Sequence, residues 1–200
     1  MERELLLTGI GGQGIQLAAK SLANAAIRDG LRTQLSASYG GMMRGGNSDS
    51  TLIVSPDPVL APPRVTSAWA GFVMHPAHAE RVFAAVRSGG VCAVNTSVVP
   101  EEQIPVDGGY AVLRVPAVDL ASDLGTPVAA SLVLAAALVA ATGLVRAESL
   151  IAACGDVLPS YRSDALAANR AATEAGLALE VDPHLAWEPG QANERAGADA

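Results

Sequence analysis

One short run near the amino terminus constrains the fold more than any other: Leu5-Leu6-Leu7-Thr8-Gly9-Ile10-Gly11-Gly12-Gln13-Gly14. An apolar run that turns through glycines into a helical pattern reads as a buried strand, a tight turn and a helix. Glycine lets the backbone turn sharply and come close to a ligand, and the helix that follows points its first N–H groups at an anion. This is where α/β folds hold phosphate groups. A G-x-G-x-x-G match by itself is a weak signal. A second glycine cluster, Tyr39-Gly40-Gly41-Met42-Met43-Arg44-Gly45-Gly46-Asn47, gives it weight.

The pattern continues as alternating strands and helices. Leu5–Thr8, Thr33–Ser36, Ser48–Ser55, Ala68–Met74, Val91–Asn95 and Ala111–Val115 read as strands. Helices are predicted over Gln13–Arg28, Pro76–Val86, Pro116–Leu124, Val128–Thr142, Ala147–Leu158 and Ser163–Gly176. Pro56, Pro58, Pro62 and Pro63 break the chain into an extended connection. The fold class is therefore α/β, a Rossmann-like open and mostly parallel sheet flanked by helices. One domain covers 1–181, and 182–200 is a polar carboxy-terminal tail.

Composition removes several function classes. The chain has 200 residues, half of them apolar, enough to bury a substantial core. Its net charge of −7 excludes general nucleic-acid binding, which needs a concentrated basic face. Lys20 is the single lysine, so an anionic ligand must be met by local geometry. Cys92 and Cys154 have neither zinc nor cluster spacing, so no metal and no cluster is expected on this chain. Two lone cysteines, and a strand starting almost at once in place of a signal peptide, fit a cytoplasmic protein. Val128–Val145 is uncharged but rich in alanine, which suits a buried or interface helix better than a membrane span.

If the first loop bound NAD, an acid should follow about twenty residues on, at the end of the second strand. That count reaches Gln34, Leu35 and Ser36, none acidic, and Asp29 comes too early. Gln13, at the helix start, can donate to a carbonyl or phosphate. Arg44, between glycine pairs, is a charged fork suited to a phosphate or carboxylate. The loops after the first two strands leave from one edge of such a sheet, so both can face one crevice. The same residues also suit close strand–helix packing and an Arg44–Asp49 pair, and on their own they leave both readings open.

Taken in order, Gly9-Ile10-Gly11-Gly12-Gln13-Gly14, Tyr39-Gly40 with Met43-Arg44-Gly45-Gly46, and Val94-Asn95-Thr96-Ser97 resemble the gamma subunit of 2-oxoacid:ferredoxin oxidoreductases. The resemblance runs from about Arg3 to Leu177. It implies a subunit of an enzyme that oxidatively decarboxylates a 2-oxoacid to an acyl-CoA and passes electrons to ferredoxin or NAD. Partners would be alpha and beta subunits holding thiamine diphosphate with Mg, and a ferredoxin-like subunit; 4Fe-4S clusters would lie in these partners and none in this chain. By the same resemblance, Gly9, Gly11, Gly12, Gln13, Gly14, Tyr39, Gly40, Arg44, Gly45, Gly46, Asn95 and Ser97 would line the CoA side, with no catalytic residue. Two departures stand out. The usual Tyr-Gly-Pro-Glu-Met-Arg-Gly-Gly carries Gly41 and Met42, and an asparagine of the alanine-rich helix is Ser131. The alternatives are a free-standing nucleotide-binding oxidoreductase and a scaffold subunit with no ligand of its own.

Other residues carry less. His75 and His78 flank a strand-to-helix junction without a nearby carboxylate, so surface or capping roles are expected and not a metal pair. Asp119 and Asp123 read as helix-capping acids. Trp69 and Trp187 are the large aromatic anchors, with Trp187 in the polar tail the better candidate for an interface.

Overall fold

The computed structural model describes residues 2–39, 46–59, 65–157 and 165–181. Its strands are β1 (Arg3–Ile10), β2 (Arg32–Tyr39), β3 (Asn47–Ser55), β4 (Ala68–Val73), β5 (Val86–Asn95) and β6 (Ala111–Val115). The helices are α1 (Ile15–Arg28), α2 (Ala79–Ala85), α3 (Ala117–Asp123), α4 (Ala130–Thr142), α5 (Ala147–Asp156) and α6 (Ala165–Leu177). The strands form one sheet in the order β2-β3-β1-β4-β5-β6. β1, β4, β5 and β6 pair in parallel, and β3 runs antiparallel to both β1 and β2. β4 is buried along its whole length, as expected of a parallel strand covered on both faces.

The two faces are covered unequally. One face, carrying Leu5, Leu7, Leu52, Val54 and Phe72, packs under α1, α3, α4, α5 and α6. The other, carrying Leu6, Val73, Cys92 and Val94, is closed by α2 through Val82 and Phe83. α4 is apolar all round, and twelve of its thirteen residues are buried. It packs against α6, α3 and α1, so the alanine-rich run is a core helix. No described helix is long and apolar enough to cross a membrane. Trp69 is buried, with the Arg3 guanidinium 4.8 Å above its ring. Burial lowers the Arg3 pKa to about 10, with Arg87 adding to the effect.

Two elements differ from the sequence pattern. The expected helix from Pro76 begins instead as a 3₁₀ turn over Pro76–His78, and α2 stops at Ala85. β5 then starts at Val86, five residues earlier than the expected Val91. Gly89 and Gly90, which precede Val91, lie inside the strand, whose register shifts there against β4. Gly89, at φ +75°, makes the bulge possible, and its N–H is tied to the Gly109 carbonyl. The tail and Trp187 lie outside the described residues.

Candidate functional site at the carboxyl edge of the sheet

The chain leaves β1 through α1 toward one face of the sheet and leaves β4 through α2 toward the other. β1 and β4 are parallel neighbours, so a crevice opens between the loops that follow them. Ligands of open α/β sheets bind at such a switch point. β2 ends on the same edge: Ser48 pairs with Gly9 on one side and with Tyr39 on the other. The expectation that the first two loops share one edge is met.

The glycine run divides into two kinds of residue. Gly11 and Gly12 are exposed, and a Cβ added at Gly12 would meet nothing within 4 Å. These two present bare backbone to the crevice. Gly9 and Gly14 are packed instead. A Cβ on Gly9 would come within 2.8 Å of Gln13 Oε1 and Ile15 Cδ1. Gly14 is the N-cap of α1 at φ +76°, where a Cβ would come within 2.5 Å of Ser131 Oγ. The Ser131 hydroxyl, buried at the start of α4, donates to the Gly14 carbonyl at 3.1 Å. The N-cap Gly14 brings no side chain to the first turn of α1, and N–H groups of such a turn suit an anion.

The polar residues around the loop act as braces. Gln13 Oε1 accepts from the Ile10 N–H at 3.0 Å, and its Nε2 donates to the Met74 carbonyl at 3.4 Å, across the switch point. The Gly11 N–H donates to the Gly46 carbonyl at 2.8 Å, joining the loop to the strand beside it. Asn95 is fully buried: its Nδ2 donates to the Met74 carbonyl, and its Oδ1 accepts from Ala117 and Val118 N–H. Ser97 Oγ accepts from the Asp119 N–H. Asn95 and Ser97 thus accept from N–H groups in the first turn of α3 and tie it to the end of β5. His75 Nδ1 accepts from the Ala77 N–H, the capping role its position implies. Tyr39 ends β2, while its side chain and Gly40, Arg44 and Gly45 lie outside the described residues.

Asp49, weighed from the sequence as a partner of Arg44, is engaged by Thr8, Asn47 and Arg81. Sequence reasoning missed Arg81, since the register of β3 and the crossing of α2 bring it to Asp49. The fold also explains why the acid of an NAD site is missing. β3, running antiparallel, occupies the place beside β1 where a dinucleotide-binding fold has its second parallel strand. A separate groove of about 700 Å³ runs along α2, lined by Phe83, Val86, Pro105 and Tyr110. It contains none of the glycine-loop residues. Desolvation and the nearby Cys92 push the Tyr110 phenol up to about 12, so it stays protonated.

The fold and crevice define a class: an α/β domain with a glycine loop outside the ends of parallel strands, the place where such folds hold anions. The family is particular. Residues 4–179 match the model of the family described as pyruvate ferredoxin/flavodoxin oxidoreductase, and the chain belongs to that family as one of its gamma-type subunits. It is 30% identical over 140 residues to the 2-oxoglutarate synthase subunit KorC of Methanocaldococcus jannaschii, covering 69% of this chain and 74% of that protein. The gamma subunit of a keto/oxoacid ferredoxin oxidoreductase from Geobacter sulfurreducens superposes with a TM-score of 0.75 at 31% identity, over 88% of this chain and 94% of that one. A 2-oxoglutarate:ferredoxin oxidoreductase from Magnetococcus marinus, solved with 2-oxoglutarate, coenzyme A and succinyl-CoA bound, shares the fold. That match has a TM-score of 0.79 at 17% identity, over 94% of this chain and 33% of the longer one.

Proposed function

We propose that this subunit supplies the CoA side, and part of the assembly surface, of a complex that oxidatively decarboxylates a 2-oxoacid to an acyl-CoA. Electrons would leave to ferredoxin or NAD. The observation that carries this reading is the switch-point crevice, where the exposed Gly11-Gly12 backbone meets the uncapped start of α1. A phosphate-bearing chain such as CoA suits that surface, because the start of α1 favours negative charge without needing lysines and Gly11 and Gly12 leave room for close approach, the Gly11 N–H itself being held by the Gly46 carbonyl.

In this reading Gly11 and Gly12 approach the ligand, while Gly9, Gln13, Gly14, Gly46, Asn95 and Ser97 hold the crevice in shape. Tyr39, Gly40, Arg44 and Gly45 are further ligand contacts in this reading, assigned from the sequence resemblance alone. Thiamine diphosphate with Mg and the 4Fe-4S clusters would belong to alpha, beta and ferredoxin-like partners, where they would supply the decarboxylation chemistry and the electron transfer. The isolated chain is then inactive.

Co-expression with the partner subunits tests this. Purification through a tag on this chain is expected to yield a thiamine- and iron-containing assembly that reduces an acceptor only when both 2-oxoacid and CoA are present. A lone, soluble monomer under those conditions, or turnover indifferent to CoA, overturns it.

A further inference from the structure

The Asp49 carboxylate gathers donors from three elements. Thr8 Oγ1 on β1 donates at 2.7 Å, Asn47 Nδ2 at the start of β3 at 2.7 Å, and Arg81 in the first turn of α2 at 2.5 Å. Each donor lies beside the glycine loop. Thr8 precedes Gly9, and Asn47 pairs with Ile10 and follows Gly46, whose carbonyl holds Gly11. The turn before α2 starts just past the carboxyl end of β4, so the first turn of α2 opens on the same edge.

The ion pair is lopsided. The Asp49 side chain is 13% exposed and that of Arg81 59%. One guanidinium nitrogen is thus anchored on a sheltered acid while the remainder of a planar fork stands toward solvent. Such an arginine is oriented in advance and can still form a bidentate contact with a second anion.

Two neighbouring groups are incomplete. Asn47 and Gln16 both donate to Asp49, the first to its carboxylate and the second to its main-chain carbonyl. Their own amide oxygens, Asn47 Oδ1 and Gln16 Oε1, are buried and have no hydrogen-bond partner among the described residues. A buried acceptor left without a donor is costly, so a ligand carrying N–H or O–H groups is favoured there.

We infer that Arg81, oriented by Asp49, is an anion contact of the glycine-loop crevice and meets a phosphate of the ligand, while the Asn47 and Gln16 carbonyls accept from its N–H or O–H groups. The inference rests on the CoA-side reading and deepens it. It assigns a ligand contact outside all three sequence motifs, and makes Asp49 a positioning residue.

The test is a titration of the co-purified complex with CoA and with pantetheine, which carries no phosphate. Wild type is compared with Arg81→Ala, Arg81→Lys and Asp49→Asn. Arg81→Ala is expected to weaken CoA binding about tenfold, the usual scale for one lost charged hydrogen bond, and to flatten its salt dependence. Pantetheine binding should stay unchanged, Arg81→Lys should recover part of the loss, and Asp49→Asn, which releases Arg81 without removing it, should fall between. If Arg81→Ala binds CoA as wild type does, or weakens CoA and pantetheine alike, the assignment of Arg81 fails and the CoA-side reading stands. If the wild-type complex binds no CoA, both fall together.

Discussion

Two aspartates serve as hubs at opposite ends of the molecule, and their surroundings separate a structural latch from a ligand-facing brace. Asp29, at the carboxyl end of α1, accepts from the Arg146 N–H at 2.6 Å, from Arg146 Nε at 2.8 Å and from the Ser149 hydroxyl. It thereby closes the start of α5 against the end of α1. Asp49 likewise accepts from three groups, but at the edge that carries the glycine loop. Both acids are sheltered, at 9% and 13% side-chain exposure, and both hold an arginine that is mostly exposed. The difference lies in what is left over. Around Asp49, two buried amide oxygens lack donors among the described residues, and Gly11 and Gly12 stand exposed. A hub with such unmet groups around it is built for a further partner.

The largest expected effect falls on the latch. Asp29→Ala leaves the Arg146 N–H and the Ser149 hydroxyl without their acceptor and frees the start of α5 from the end of α1. The loss is about 2–3 kcal/mol of folding stability, measured by urea denaturation, with CoA affinity unchanged. A change in affinity as large as the change in stability would erase the contrast between the two ends.

Gly14→Ala comes next, because it strikes where the two regions meet through α1. A side chain at φ +76° is strained, and its Cβ presses on Ser131 Oγ. About 2 kcal/mol of stability should be lost. The double variant with Ser131→Ala should recover part of it, since the contact with the Ser131 Cβ atom is an ordinary 3.5 Å. A double-mutant cycle in thermal melts reads this directly, and strict additivity would show that Ser131 does not limit that position.

Asp49→Asn should cost least in stability, about 1 kcal/mol, with its main consequence in ligand binding. Equal and opposite profiles for the two aspartates, stability at Asp29 and affinity at Asp49, are the sharpest form of the comparison.

Acid sharpens it further. Burial would raise the Asp29 pKa, but the Ser149 hydroxyl and the Arg146 N–H and guanidinium outweigh it and hold the carboxyl below its usual 3.8. A depressed acid contributes stability that is fully present above its unfolded pKa and is lost as pH falls through the folded one. Stability should therefore drop below about pH 4 in wild type. Asp29→Asn should lose that part of the acid limb, as read from urea midpoints across pH. An unaltered limb would mean that other carboxylates carry the acid transition.

Much of the fold is legible because it rests on local chemistry. The apolar run before Gly9, the helical spacing after Gly14 and the uninterrupted alanine-rich segment each fix an element from its own residues. β5 is different: its apolar run begins only at Val91, and pairing with β4 is what draws Val86–Gly90 into the strand with a register shift. The direction of β3 also escapes local reading, since an alternating run looks the same whichever way it is laid beside a neighbour. The site divides similarly. Its glycines are visible as a motif, yet which of them face outward depends on Ser131 and Ile15 filling the space beside the others. That Asn95 is buried and accepts from the start of α3 also escapes local reading, because Ala117 lies twenty-two residues on.

By itself, then, the sequence determined a phosphate-type glycine turn between the first strand and helix, an α/β alternation, a family, and the absence of the acid that NAD would need. Tertiary structure decided that β3 stands beside β1, that α2 reaches across to Asp49, and that Arg81 joins the edge of the crevice. The reason is physical. Turn geometry and hydrophobic period are properties of neighbouring residues, whereas a shared carboxylate depends on sheet register and helix crossing, which exist only once the whole core has packed.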